Sequence, residues 1–263
     1  MPSPPSVLRH PLRLPALGRR LTLALLAGLV ATGACAGQFT VQPTRLELGA
    51  PQRSGALTLR NESPTPLSFR IQGLRWTQDA DGQERYGEAP ELVYFPRLLT
   101  LPPGEAAVIR VGVRQPPEEI ERTYRLFIEE LAAPSQTALE GARVRVLMRF
   151  GAPVFVRAAA ARRQLELTDF DLQGPQVRWS VRNQGTGHEL FKAVTLRGVD
   201  ASGVEVFRQE LLAERYLLAG AVRRFEAAVP APLCGQFARL ALVITTEQSE
   251  VRRDLDVGAR PCP

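Results

Sequence analysis

Between residues 143 and 150 the chain alternates with a period of two. Even positions carry Val144, Val146, Met148 and Phe150, and odd positions carry Arg143, Arg145 and Arg149, with Leu147 the exception. This pattern predicts a strand with one apolar face and one cationic face. Pro153, just beyond, removes a ladder donor, which fits an edge strand or the end of paired structure. An apolar row on an edge invites another chain to pair with it, so this stretch is a candidate for capturing a partner strand. The ordinary alternative is a sandwich strand whose even positions face their own core.

Alternation recurs along the rest of the chain. Residues 38–48 read as a strand running through Pro43, 56–61 as a second, and 67–77 as a third. In the third, a bulge at Gly73 brings Leu74 and Trp76 into the apolar series that Phe69 and Ile71 begin. Residues 98–101 and 106–113 flank Pro102, Pro103 and Gly104 in a hairpin-like connection, and 122–131 form a further strand. The alanine- and arginine-rich stretch 158–163 breaks the pattern. Beyond it 165–170, 176–182, 191–199, 204–211, 221–229 and 238–246 are again strand-like, with a short helix within 206–218 as the lesser alternative. Short strands separated by turn signals indicate antiparallel sandwiches. The expected organisation is all-β, with a first sandwich over 37–157, a linker at 158–163 and a second sandwich over 164–263.

The start of the chain changes the charge balance. Arg19 and Arg20 precede an apolar run from Leu21 to Val30, and Ala34 and Ala36 supply the small residues of a cleavage site. This predicts a signal peptide over 1–36, cleaved after Ala36; Thr32 weighs against acylation of Cys35. Of the 33 basic residues, four arginines leave with the leader, so 29 face 27 acids. A formal charge of about +2 gives no argument for a nucleic-acid partner. Cys234 and Cys262 remain as a pair in an oxidising compartment, where one disulfide closing the C-terminal segment is expected.

Candidate catalytic chemistry is sparse. His10 lies in the leader and His188 stands in a glycine-rich turn, where a solvated role is expected. Glu118 with Glu119 and Glu129 with Glu130 are sequence neighbours, so on strands they face opposite ways and form no carboxylate dyad. No phosphate cradle, nucleophile elbow or metal-spaced set of Cys and His stands in the sequence. An enzyme is not expected, nor is a cofactor or metal.

The chain resembles the periplasmic pilus and fimbrial chaperones, in particular the archaic branch that serves spore-coat-U-like pilins. The residues that carry the resemblance are Pro43 to Leu46, Asn61 with Pro64 and Pro66, and Leu101 to Gly104. To these are added Thr123 to Glu130 and Ala152 to Arg157. The resemblance implies two immunoglobulin-like domains in an L-shaped, boomerang arrangement. It also implies a periplasmic chaperone that binds pilin-like subunits by donor-strand complementation and delivers them, without ATP, to an outer-membrane usher.

By that resemblance Val144, Val146, Met148 and Phe150 are the donated side chains. Arg45 matches the cation that anchors the subunit's C-terminal carboxylate, and a guanidinium suits a carboxylate through paired hydrogen bonds. The family's second cation, a lysine, falls at Pro153 here, and Arg125 or Arg149 is expected to replace it, with Arg125 favoured. Glu130 and Arg157 correspond to an interdomain ion pair. The exposed donor edge also leads to an expectation of self-association. The competing reading is an immunoglobulin-like surface or adhesive protein with no transfer role. That reading predicts that the even face of 144–150 is buried in its own domain and that Arg45 and Arg125 do not converge.

Overall fold

The computed structural model describes residues 39–79, 81–115, 119–132, 146–211, 215–233 and 235–257. Over these residues the chain is strand and turn, apart from one 3-10 turn at Ala231–Leu233.

The first ten strands are β1 (Phe39–Gln42), β2 (Leu46–Leu48), β3 (Ser54–Asn61), β4 (Leu67–Gln78), β5 (Glu84–Gly87), β6 (Leu92–Phe95), β7 (Leu98–Leu101), β8 (Ala106–Val113), β9 (Arg122–Leu131) and β10 (Arg149–Val156). They form two facing sheets, β1-β3-β8-β6 and β2-β10-β9-β4-β5, with β7 also on β4. Alternate positions point inward: Leu57, Leu59, Ile109 and Val111 from one sheet meet Phe69, Ile71, Leu126, Ile128 and Val154 from the other. Each such side chain contributes about 1.5–3 kcal/mol when fully buried.

Pairing differs from the sequence expectation at several points, for identifiable reasons. The strand expected through Pro43 is two strands in different sheets: β1 pairs with β3, and β2 runs parallel to β10. A proline offers no N–H to continue the first ladder, and the chain crosses the sandwich there. The turn at Pro102 is likewise a crossing between sheets, because β7 pairs with β4 and β8 with β3 and β6. Gly73 makes no bulge, since the β4–β9 register runs unbroken from Ser68 to Arg75. It is instead a close approach: a Cβ there would lie 2.6 Å from Leu92 Cδ2 and 2.9 Å from Tyr94 Cε1. Gly73→Ala is expected to destabilise the protein by about 1–3 kcal/mol through overpacking, read as a lower midpoint in thermal denaturation. An unchanged midpoint would mean that β6 yields at no cost.

Strand β10 also differs from its expected span. Its regular part begins at Arg149, preceded by one further backbone bond from Glu130 N–H to Met148 O at 2.9 Å. Only Val154–Val156 are flanked on both sides, because β2 pairs with those three residues alone. Pro153 therefore stands at the last position before β10 becomes central, where its missing donor is tolerated.

The second group of strands is β11 (Leu165–Gln173), β12 (Gln176–Asn183), β13 (Glu189–Val199), β14 (Glu205–Leu211), β15 (Arg215–Leu217), β16 (Val222–Ala228), β17 (Arg239–Thr246) and β18 (Glu250–Asp256). They form the sheets β11-β12-β16 and β14-β13-β17-β18, with β15 on β13. Val177, Trp179, Leu196, Leu240, Leu242 and Ile244 fill the space between them. The alternative of a helix within 206–218 gives way to β14 and β15. Cys234, Cys262 and the expected cleavage site lie outside the described residues.

The sandwiches meet through apolar side chains that β4 and β10 carry on their outer faces. Phe155 is fully buried, stacked on His188 at 3.5 Å and inclined toward Tyr216 and Trp76. His188 is therefore not solvated: it is 2% exposed, and both its backbone N–H (2.9 Å) and its Nδ1 (2.8 Å) bond to Glu121 across the junction. Gln78 extends the same contact by donating to Tyr216 O at 2.9 Å and accepting from Leu218 N–H at 3.0 Å.

Candidate functional site

The register of β2, β10 and β9 sets Leu46, Val154 and Tyr124 side by side, all pointing into the first core. One position earlier on β2 and β10 are Arg45 and Pro153, and the partner of Pro153 on β9 is Arg125. Period two turns these three outward, toward the second sandwich. With strands about 4.8 Å apart, the two arginine backbones lie roughly 10 Å from each other.

Their guanidinium groups converge on Tyr216. Arg125 Cζ lies 5.9 Å from the Tyr216 ring centroid, and Tyr216, after Glu247, helps raise the Arg45 guanidinium above its ordinary range against some burial. Arg125 rests on the face of Trp76 at 3.8 Å, gives Nη1 to Gly151 O and gives Nη2 to Glu84, each at 3.1 Å. Arg45 gives Nη1 to both carboxylate oxygens of Glu247, at 3.0 and 3.1 Å, and its Nε lies 3.4 Å from Glu47. The bond from Arg45 holds the Glu247 carboxyl below the ordinary carboxylate range, despite some burial. Nearby, burial and then the bond to Glu84 push the Tyr86 hydroxyl up to about 12, so it stays a neutral donor. The result is a pair of arginines beside the rings of Trp76 and Tyr216, each resting on acids of the protein itself, and a guanidinium of this kind suits a carboxylate.

Arg149 stands apart from this pair. It lies opposite Glu129, four residues along β10 from Pro153 and so roughly 13 Å away, with its guanidinium 3.8 Å over the Phe127 ring. The strand is long enough to carry the two levels apart, and the level of each arginine depends on register rather than on composition.

The even face of β10 changes character along its length. Ala152, Val154 and Val156 are core residues, and Phe150 is half-buried against the same core. Met148 and Val146 are 40% and 68% exposed, while Val144 lies outside the described residues. Among the described residues, 149–153 have a neighbour strand on one side only.

Glu130 and Arg157 do not meet, which corrects the expected interdomain pair. Glu130 sits level with Met148 and Arg157 just past Val156, nine positions apart along β10, or roughly 30 Å. Glu130 is buried beside Phe69 on the inner face of the first sandwich, and Arg157 pairs with Glu47. Among the described residues the sandwiches are joined by the ion pairs Arg45–Glu247, with Lys192 4.0 Å from Glu247, and Arg224–Asp81, and by the hydrogen bonds between His188 and Glu121. Sequence reasoning passed over Glu121, Trp76, Tyr216 and Glu247. A usable signal existed only for Trp76, an apolar residue of outward parity on a strand whose inward face was already defined. Among the described residues no group of His, Cys, Asp and Glu is placed to hold a metal ion.

Residues 38–161 match the profile of a family described as pili and flagellar-assembly chaperone, PapD N-terminal domain. The chain is also similar to solved structures. One is a chain of the CsuC–CsuE chaperone–tip adhesion subunit pre-assembly complex from the archaic Csu pili of Acinetobacter baumannii. The TM-score is 0.58 at 18% identity, covering 83% of this chain and 98% of that one. A second is a chain of the Salmonella enterica SafA pilin in complex with the SafB chaperone. There the TM-score is 0.54 at 13% identity, covering 82% and 96%. The class 5 fimbriae chaperone CfaA gives 0.54 at 15% identity, over 82% and 97%. At these identities the likeness establishes the fold, two immunoglobulin-like sandwiches in one chain. No curated protein matches the chain in sequence.

Proposed function

We propose that the protein is a chaperone that binds pilin-like subunits by lending them a strand, a reading supported by the match of residues 38–161 to the N-terminal domain of the pili and flagellar-assembly chaperones. The solved structures it resembles include complexes with a tip adhesion subunit and with a pilin. The observation that carries the reading is the division of β10. Its C-terminal half is locked in its own core, while Met148 and Val146 on the same face stand exposed beside an open edge. A partner lacking a strand gains main-chain bonds from that edge and apolar contacts from that face. Arg45 and Arg125, level with Pro153, receive the partner's terminal carboxylate and set its register.

In this scheme the protein is no enzyme and consumes no nucleotide; completion of the subunit's own fold drives release. The leader places it in the periplasm, and an outer-membrane usher receives the subunit. Self-association through the same edge covers the apolar row between subunits. A surface or adhesive module without a transfer role would bury the even face and separate the arginines, whereas Val146 is exposed and Arg45 and Arg125 flank Pro153 at one level of the sheet.

Co-expression with the neighbouring secreted subunit-like proteins tests the reading. Wild type should co-purify with a subunit and Arg45→Ala should not, with an unchanged circular-dichroism spectrum. Capture of nothing by wild type, or normal capture by Arg45→Ala, would overturn it.

A further inference from the structure

Both arginines already carry carboxylates of the protein itself. Arg45 Nη1 donates to Glu247 Oε2 at 3.1 Å with Oε1 3.0 Å away, and Glu47 lies 3.4 Å from Nε, so two of the three guanidinium nitrogens face the protein's own acids. A carboxylate arriving from outside binds a guanidinium best through two parallel N–H bonds, which needs one of these acids to leave. Glu47 is tied down, because it lies in β2 and also pairs with Arg157. Glu247 is differently placed. It sits in a turn after β17 that is fixed by Thr246 N–H to Ser249 O at 2.8 Å and by Ser249 N–H to Thr246 Oγ1 at 3.0 Å. Its own N–H is held by Leu190 O at 3.0 Å, so the backbone is pinned while the carboxylate rests on the side chains of Arg45 and Lys192. Lys192 Nζ lies 4.0 Å from Glu247 Oε1 and offers a second cation within a small rotation.

We infer that Glu247 stands on Arg45 in place of a subunit's terminal carboxylate, and that loading exchanges the two, with Glu247 swinging onto Lys192. The inference rests on the strand-lending reading and adds to it a residue that sets how strongly the carboxylate is held. Arg45 keeps a carboxylate partner before and after loading, so release of the subunit leaves the guanidinium paired. Glu247 comes from the second sandwich and Arg45 from the first. The exchange therefore also gives the second sandwich a share in subunit recognition.

The test uses two probes on the full mature chain. One is an eleven-residue peptide of alternating threonine and valine with a free C-terminal carboxylate, and the other is the same peptide as its C-terminal amide. Affinities are read by titration calorimetry. Wild type should prefer the acid. Glu247→Gln should bind the acid roughly two- to fivefold more tightly, the factor expected for a half-exposed ion pair, and leave the amide unchanged. Lys192→Ala removes the alternative cation and should weaken the acid while sparing the amide, an effect opposite in sign that general destabilisation does not produce. If wild type prefers the acid but Glu247→Gln does not tighten it, or Lys192→Ala does not weaken it, the exchange is wrong and the anchor stands. If wild type binds neither peptide, or both equally, the exchange falls together with the carboxylate anchor.

Discussion

Val146→Asp combined with Met148→Asp abolishes subunit capture while leaving the melting temperature of the free protein within about a degree. The two side chains are 68% and 40% exposed, so in the unloaded protein a carboxylate at either position meets water. Surface changes of this kind cost about 0.5 kcal/mol or less. Under the proposed strand donation, the same positions face an apolar groove in the loaded state. There each loses about 1.5–3 kcal/mol of burial and adds the cost of desolvating a charge, so the pair weakens capture by roughly a hundredfold or more. Co-purification yield beside a calorimetric scan separates the two effects. Undiminished capture would place the apolar row outside the complex, and a large drop in melting temperature would place it inside the protein's own core.

Phe155→Ala carries the second large effect, and in the opposite sense: the free protein suffers. The ring is fully buried between His188 at 3.5 Å, Tyr216 at 5.2 Å and Trp76 at 6.1 Å. Truncation removes about 3–5 kcal/mol, the usual range for a buried phenylalanine. Because the cavity opens between the sandwiches rather than within one, the loss falls on their coupling. A scanning calorimeter should show a lower midpoint, with one transition separating into two as the sandwiches unfold independently. A single transition at the wild-type temperature would mean that Glu121–His188 and Gln78 hold the junction without the ring.

Much of the scaffold was legible because burial on one face writes itself as alternation. Strands such as β3, β8, β9, β12 and β17 carry their inward residues at every second place, and their spans follow from that alone. Where a strand has no buried face the signal vanishes: all four residues of β5 are exposed, and it went unseen. The partner of a strand is not written in its period either. That is why the crossings at Pro43 and Pro102 passed for continuous or hairpin structure.

The site divides along the same line. The parity of Arg125 and Arg149 on outward faces followed from the pattern, but which of them stands level with Arg45 depends on how β9 and β10 are registered. Glu130 was given the wrong neighbourhood for the same reason, since its end of β9 lies far from the junction. Glu247 was out of reach, because its contact with Arg45 joins residues 202 apart in the chain.

One consequence of β10 concerns length. The strand is clamped from Ala152 onward, and the arginine pair stands level with Pro153. From that level to Met148 is five residues, about 17 Å of extended strand, and carried on to Val146 the same rise gives about 23 Å. The molecule thus works as a gauge. A partner whose chain end touches the arginines must offer its first vacant notch at the one spacing and its next two residues further on. Deleting a single residue between 148 and 153 would turn the whole row to the wrong side, whereas deleting two would keep the side and shorten the scale by one step.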